Sequence, residues 1–358
     1  MKNVFLSKIK IQHRKYVFVY FLILQIIGIQ IVAFFPSFVE TYYSNGFYKI
    51  TSNFLRKILG NVEFSVGDLI YGIIIAFLLY KIIKNRKTFT LKSTIIRALD
   101  VLSIFYFLFH LLWGMNYYRV GLEEKMNLSY EYSHEQLLNF TDKMVEKSND
   151  LHLQITRNDS LMVVNPYSIK QIYEKTQNAY NLLSIKHPEF AYQNHCVKNS
   201  LISVGLSYMG FGGYMNPFTG EAQVNALLPK YTFATTALHE ISHQIGYASE
   251  SEANFIGYLA SVNSDDLYFK YSGTVFALRY CLGNIERINS EITEKYLLKI
   301  NYGIRLNFEE TTKFWESYEN PLEVFFKTFY DNFLKANAQE EGLESYSKFL
   351  GLLISYEN

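Results

Sequence analysis

Apolar residues fall in continuous runs over the first third of the chain and in helical stripes over the rest. Val17 to Phe35 is an uncharged run closed by Pro36, close to the roughly 20 residues that a bilayer core requires. Asp68 to Ile83 and Leu99 to Trp113 are shorter apolar runs, each with a carboxylate at one end (Asp68, Asp100). The pattern predicts about three transmembrane helices, with a pair of buried core helices as the alternative for the last two. A cleaved signal peptide fits less well, because the first run is too long and Pro36-Ser37-Phe38 offers no small-residue cleavage site. From Glu123 onward the chain is charged and reads with a helical period, as in Ser133–Leu151, which opens on a Ser133/Gln136 capping pattern, and Ser168–Ile185. Between Val197 and Leu228 the character changes. Leu201–Val204 and Ala222–Asn225 read as short strands, separated by Gly210, Gly212, Gly213 and the Asn216-Pro217 turn. After these come helices alone, around 231–247, 250–263, 271–289, 308–318, 321–337 and 343–356. The expected architecture is α+β. Residues 1–118 form a membrane anchor, and 119–358 a mostly helical domain with a small sheet ahead of its central helix.

That central helix carries the chemistry. His239-Glu240-Ile241-Ser242-His243 places two imidazoles one turn apart on one face, where both reach a single metal ion, zinc being the usual choice. Glu240 lies beside them, where a carboxylate takes a proton from metal-activated water. Phe233, Ala237, Leu238, Ile241 and Ile245 supply apolar positions at helical spacing; Thr232 is the expected N-cap and Gly246 the stop. A catalytic zinc usually takes a third protein ligand. Ser249 or Ser251 is placed to cap a second helix whose first turn holds two carboxylates, Glu250 and Glu252. Glu250 shares its stripe with Ala253, Asn254 and Gly257, which lets the metal helix approach closely, and is the expected ligand. Glu252 shares its stripe with Phe255, Ile256 and Leu259 and is the alternative. Asn254 is the expected hydrogen-bond partner for a ligand's free edge.

HExxH followed by a helix bearing Glu250-x-x-Ala253-Asn254 resembles the gluzincin metallopeptidases, and by that resemblance the domain is zincin-like. The resemblance implies His239, His243 and Glu250 as zinc ligands and Glu240 as the general base, with Asn254 standing where that family carries an Asp. Six residues separate His243 from Glu250, fewer than gluzincins commonly insert. Gly246 resembles the metzincin turn instead, but Ser249 occupies the place of the metzincin His. Over nearly its whole length the chain also resembles a bacterial membrane-protein family described only as a domain of unknown function. The residues concerned are Trp113–Arg119, Asn216–Asn225, the HExxH segment, Tyr330–Lys335 and Ser345–Ser347.

Composition adds a few constraints. A formal charge of +1 gives no case for nucleic acid, and 49% apolar content with 17% aromatics suffices for a core and membrane segments together. Lys2, Lys8, Lys10, Arg14 and Lys15 precede the first run, and Lys81, Lys84, Arg86, Lys87, Lys92 and Arg97 crowd the second connection. Both clusters read as cytoplasmic, which puts residues 37–66 and everything after Tyr117 on the outer side of the cytoplasmic (inner) membrane. Cys196 and Cys281 both fall in that outer domain, where a disulfide is an open question. The expected activity is zinc-dependent hydrolysis of peptide bonds, with a peptide or protein substrate and the lipid bilayer as partners. A catalytically inactive membrane scaffold, or zinc-binding pseudoenzyme, is the alternative. Tyr330, Tyr214, Tyr247 and His195 are the candidates by type for stabilising an oxyanion. Gly220–Asn225 is expected either to lie at a cleft edge and pair with an extended substrate or simply to turn the sheet beneath the helix.

Overall fold

The uncharged N-terminal run forms α1 (Val17–Ala33), and the chain restarts at Pro36, bent by 97°, as α2 (Pro36–Leu59). Proline at the first helical position has its φ already set for the helix and no N–H to leave unsatisfied. Within α2, Val39–Tyr48 is wound as a π-helix. The computed structural model describes residues 16–86, 90–337, 339 and 346–357; Lys2, Lys8, Lys10, Arg14, Lys15, Lys87 and Ser345 lie outside them.

The next two helices are α3 (Val66–Asn85), capped by Ser65, and α4 (Leu91–Leu112), capped by Thr90. Both are long and apolar enough to cross a membrane, and α1 with α2 makes a third candidate if the bent pair is one span. Among the described residues, two or three helices are therefore suited to a bilayer. Both α3 and α4 start earlier than the apolar runs suggested, at Val66 and Leu91, because a helix continues through Asp68, Lys92 and Arg97 while an apolar window stops at them. Gln25 on α1 donates from Nε2 to Ser103 Oγ on α4 at 3.1 Å, tying two apolar helices by a polar contact.

The rest is mostly helical: α5 (Leu122–Met126), α6 (His134–Thr156), α7 (Ile169–Lys186), α8 (Ser203–Met209), α9 (Phe233–Gln244), α10 (Glu250–Asn263), α11 (Leu267–Ile288), α12 (Ser290–Lys299), α13 (Tyr302–Glu316), α14 (Pro321–Ala336) and α15 (Tyr346–Glu357). Ser133 with Gln136 and Ser168 with Gln171 form complete capping boxes on α6 and α7. Among the described residues the sheet is small, with β1 (Val197–Asn199), β2 (Gly213–Met215) and β3 (Ala222–Val224) in the order β1-β3-β2, β1 parallel and β2 antiparallel to the centre.

Two sequence expectations fail here. Leu201–Val204 is not a strand: the strand ends at Asn199, and from Ser203 the chain is helical. The expected strand at Ala222–Asn225 is present as β3, but of the two roles open to Gly220–Asn225 the cleft-edge one fails, since β3 is paired on both sides. The core gathers round α9, which packs on α7, α10, α11, β2 and β3, with Leu238, Ile241, Phe255, Ile256 and Tyr258 fully buried.

Candidate metal centre

Helix α9 holds His239, Glu240 and His243, and α10 begins six residues after it. Gly246 makes the reversal possible with φ +91°, a left-handed value open to glycine at little cost. Gly257 lets the helices touch. A β-carbon there would sit 3.0 Å from His239 N and 3.1 Å from its Cα. The capping expectations were half right. Thr232 and Ser249 occupy the cap positions, but neither side chain makes a capping bond; Thr232 Oγ1 donates to Pro229 O, and Ser249 pairs with Ser251 at 2.9 Å.

The side chains of the motif converge with Glu250. His239, Glu240 and His243 bring donor atoms within 4.8 Å of one another. Glu250 Oε2 lies 3.3 Å from His239 Nε2, and its Oε1 3.5 Å from His243 Nε2. His243 Nδ1 is 2.7 Å from Tyr247 O, so a proton sits on that nitrogen and the ring turns Nε2 toward Glu250. Glu252 is elsewhere. It is buried, accepts the Leu122 N–H at 2.6 Å, and faces Arg119 and Lys125. Asn254 donates to Tyr280 OH at 3.2 Å, so the expected bond from it to a ligand is not made.

The electrostatics are those of a cation site. Burial pushes the Glu240 carboxyl up to about 7 against the pull of His239 and His243. Burial works to lower His243, yet Glu250 outweighs it and holds the imidazole up at about 9. Burial would likewise raise Glu250, but His243 and His239 hold it well below the usual carboxylate range. Two imidazoles and a carboxylate are the donor set of a catalytic zinc, and here the two Glu250 oxygens each face one imidazole. Glu240 Oε2 is buried without a hydrogen-bond partner. A buried, unpaired carboxylate oxygen costs stability and is kept where it has a task. The residues present therefore fit a zinc ion.

The segments before α5 enclose the same site. Trp113 Nε1 donates to His243 O at 3.1 Å, and Tyr48 OH and Arg56 Nη1 donate to Gln244 O at 2.9 and 2.7 Å. These are C-terminal carbonyls of α9, which have no partner inside the helix, and a guanidinium suits that negative end. Arg119 donates to Gly246 O at 2.7 Å, pairs with Glu40 and covers the Tyr247 ring at 4.2 Å.

A profile for a family described as a protein of unknown function (DUF3810) matches residues 43–354. The chain belongs to that family. The segment matching DUF3810 begins inside α2 and takes in α3, α4, the sheet, the HExxH helix and α14. No curated protein and no solved structure matches the chain.

Of the four oxyanion candidates in this DUF3810 protein, the structure brings one to the centre. Tyr330 on α14 donates to Glu250 Oε1 at 2.6 Å. Tyr214 bonds Asp68, Tyr247 bonds Lys125, and His195 lies 3.2 Å from Thr176 Oγ1. Sequence reasoning missed Tyr48, Arg56, Trp113 and Arg119 as parts of the site's frame. Trp113-Gly114-Met115-Asn116-Tyr117-Tyr118-Arg119 was visible as a motif, but only the fold shows it against α9. Cys196 and Cys281 are both buried and free, their thiols pushed up to about 12 by burial.

Proposed function

We propose that this protein is a membrane-anchored, zinc-dependent metallopeptidase acting on the outer face of the cytoplasmic membrane. The observation that carries the reading is the meeting of His239, His243 and Glu250 in one cluster, with Glu240 buried and unpaired beside them. A zinc ion held by those three side chains would supply Lewis acidity and lower the pKa of water. Glu240, whose carboxyl is raised to about 7, accepts the proton of the attacking water and delivers it to the leaving amine nitrogen as the C–N bond breaks. Support for the orientation comes from charge. Lys81, Lys84, Arg86, Lys92 and Arg97 lie toward one end of α3 and α4, while the Asp68 end of α3 and the Trp113 end of α4 meet the rest of the chain.

The test is metal analysis with a peptidase assay on the full chain. About one zinc per chain is expected in wild type, Glu252→Ala and Glu240→Gln, and none in His243→Ala or Glu250→Ala. Glu240→Gln should lose hydrolysis by roughly 10²–10⁴-fold while keeping zinc. Wild type that takes up no zinc on reconstitution would replace the peptidase with the scaffold reading.

A further inference from the structure

Helix α2 is inside out. In water an amphipathic helix buries its apolar stripe and exposes its polar one. Here Phe47, Ile50, Phe54 and Ile58 face outward, with Ile50 73% and Phe54 62% exposed, while Ser52 and Arg56 are 3% and 4% exposed. The inward polar groups are bonded to the C-terminal end of α9. An outward apolar face of this kind matches an apolar surround. The bend of 97° gives the direction, because a helix at right angles to a membrane-crossing α1 lies in the plane of the bilayer.

Helix α14 repeats the arrangement. Leu322, Phe325, Phe329 and Phe333 form one stripe at helical spacing; Phe325 and Phe329 are 64% and 63% exposed, and Phe333 meets Phe109 at the end of α4 with ring centroids 5.8 Å apart. The polar side of α14 carries the ion pairs Glu323–Lys327 and Asp331–Lys335. A third apolar patch, Leu201 and Val204, adjoins the first turn of α3, where Leu201 N donates to Asp68 at 2.7 Å. Each of α1, α3 and α4 thus has an exposed apolar patch at the end that meets the domain. Lys49 and Lys57 on α2 are exposed and long enough to reach lipid headgroups.

We infer that α2 and α14 are interfacial helices whose apolar faces lie in the outer leaflet, on either side of the candidate metal centre. The occupant of these faces is the lipid bilayer, a conclusion that rests on α1, α3 and α4 crossing it. Phe329 then faces lipid while its neighbour Tyr330 bonds Glu250.

Site-directed spin labelling tests this in the full chain, reconstituted in nanodiscs of phosphatidylcholine and phosphatidylglycerol. Phe54→Cys, Val204→Cys and Phe325→Cys carry the label, with Ile75→Cys on α3 as the membrane control and Glu294→Cys on α12 as the aqueous one; native Cys196 and Cys281 are buried and do not react. If a variant fails to fold, Ile50→Cys replaces Phe54→Cys and Leu322→Cys replaces Phe325→Cys. The expected result is loss of collision with a water-soluble nickel chelate at residues 54, 204 and 325, with collision by oxygen retained, as at 75. Nickel collision at 54 or 325 equal to that at 294 overturns the proposal. Nickel collision at 75 equal to that at 294 removes the membrane spans and the proposal with them. Neither result depends on zinc or hydrolysis, so failure here is separate from failure of the peptidase reading.

Discussion

Tyr330 approaches the candidate centre from outside its two helices and fixes Glu250 through a single hydrogen bond of 2.6 Å. Such a bond orients a ligand and tunes its basicity, and its loss typically costs 10–100-fold in metal affinity or activity. Tyr330→Phe keeps the ring contact with Phe333 and removes only that hydroxyl. It should cost about 10–100-fold in zinc affinity or in turnover, read by competitive chelation and by kcat on one peptide. Loss confined to KM with both of these unchanged would assign the hydroxyl to substrate instead. The two histidines, Glu240 and the preference for Glu250 over Glu252 could be read from spacing, because i, i+4 positions share a helix face whatever surrounds them. Tyr330 could only be placed among candidates. It is far from the motif in sequence, and nothing local marks one tyrosine among thirty as the one that meets it.

Elements show the same division between local and long-range information. Helix α6 was legible down to its capping box and α7 by its period, since both signals lie within a few turns of sequence. Of the strands only β3 was legible, as Ala222–Asn225; β1 and β2 were not, because three residues are too few to display alternation, and pairing with a distant segment decides them. What holds that sheet to α3 is a buried pair. Lys198 Nζ meets Glu221 Oε1 at 2.6 Å and donates to Leu59 O and Phe64 O, while Glu221 accepts the Val66 and Gly67 N–H groups at the start of α3. Every partner is satisfied, so the pair is costly to break from one side. Lys198→Met should destabilise the folded chain by about 3–5 kcal/mol, and adding Glu221→Leu should recover part of that, both read by thermal unfolding in detergent. An equal loss in the single and double variants would show that the cost is one of packing around Lys198.

At the scale of the whole molecule, the segments around the apolar helices and the helices that follow share the site. The C-terminal end of α9 is held by Tyr48, Arg56 and Trp113, all from the segments that bracket α3 and α4, so the candidate centre stands at a fixed height above those helices. With α14 lying in the interface, Phe329 and Tyr330 project about 100° apart on one helix, which keeps the centre within about one helix diameter, roughly 10–12 Å, of the lipid. An extended chain covers at most about 3.3–3.6 Å per residue, so a peptide bond reaching Glu240 stands about three to four residues from the headgroups. On the proposed peptidase reading, with α14 interfacial, the expected substrate is a juxtamembrane segment of another protein. A peptide lipid-anchored in the same nanodisc, with its scissile bond about four residues from the anchor, should be cleaved faster than the identical free peptide at equal bulk concentration. Moving the bond to about fifteen residues from the anchor should shrink that advantage, as the effective concentration at the centre falls with tether length. Equal rates for the near, far and free substrates would leave the centre intact as a peptidase but remove the bilayer from its choice of substrate.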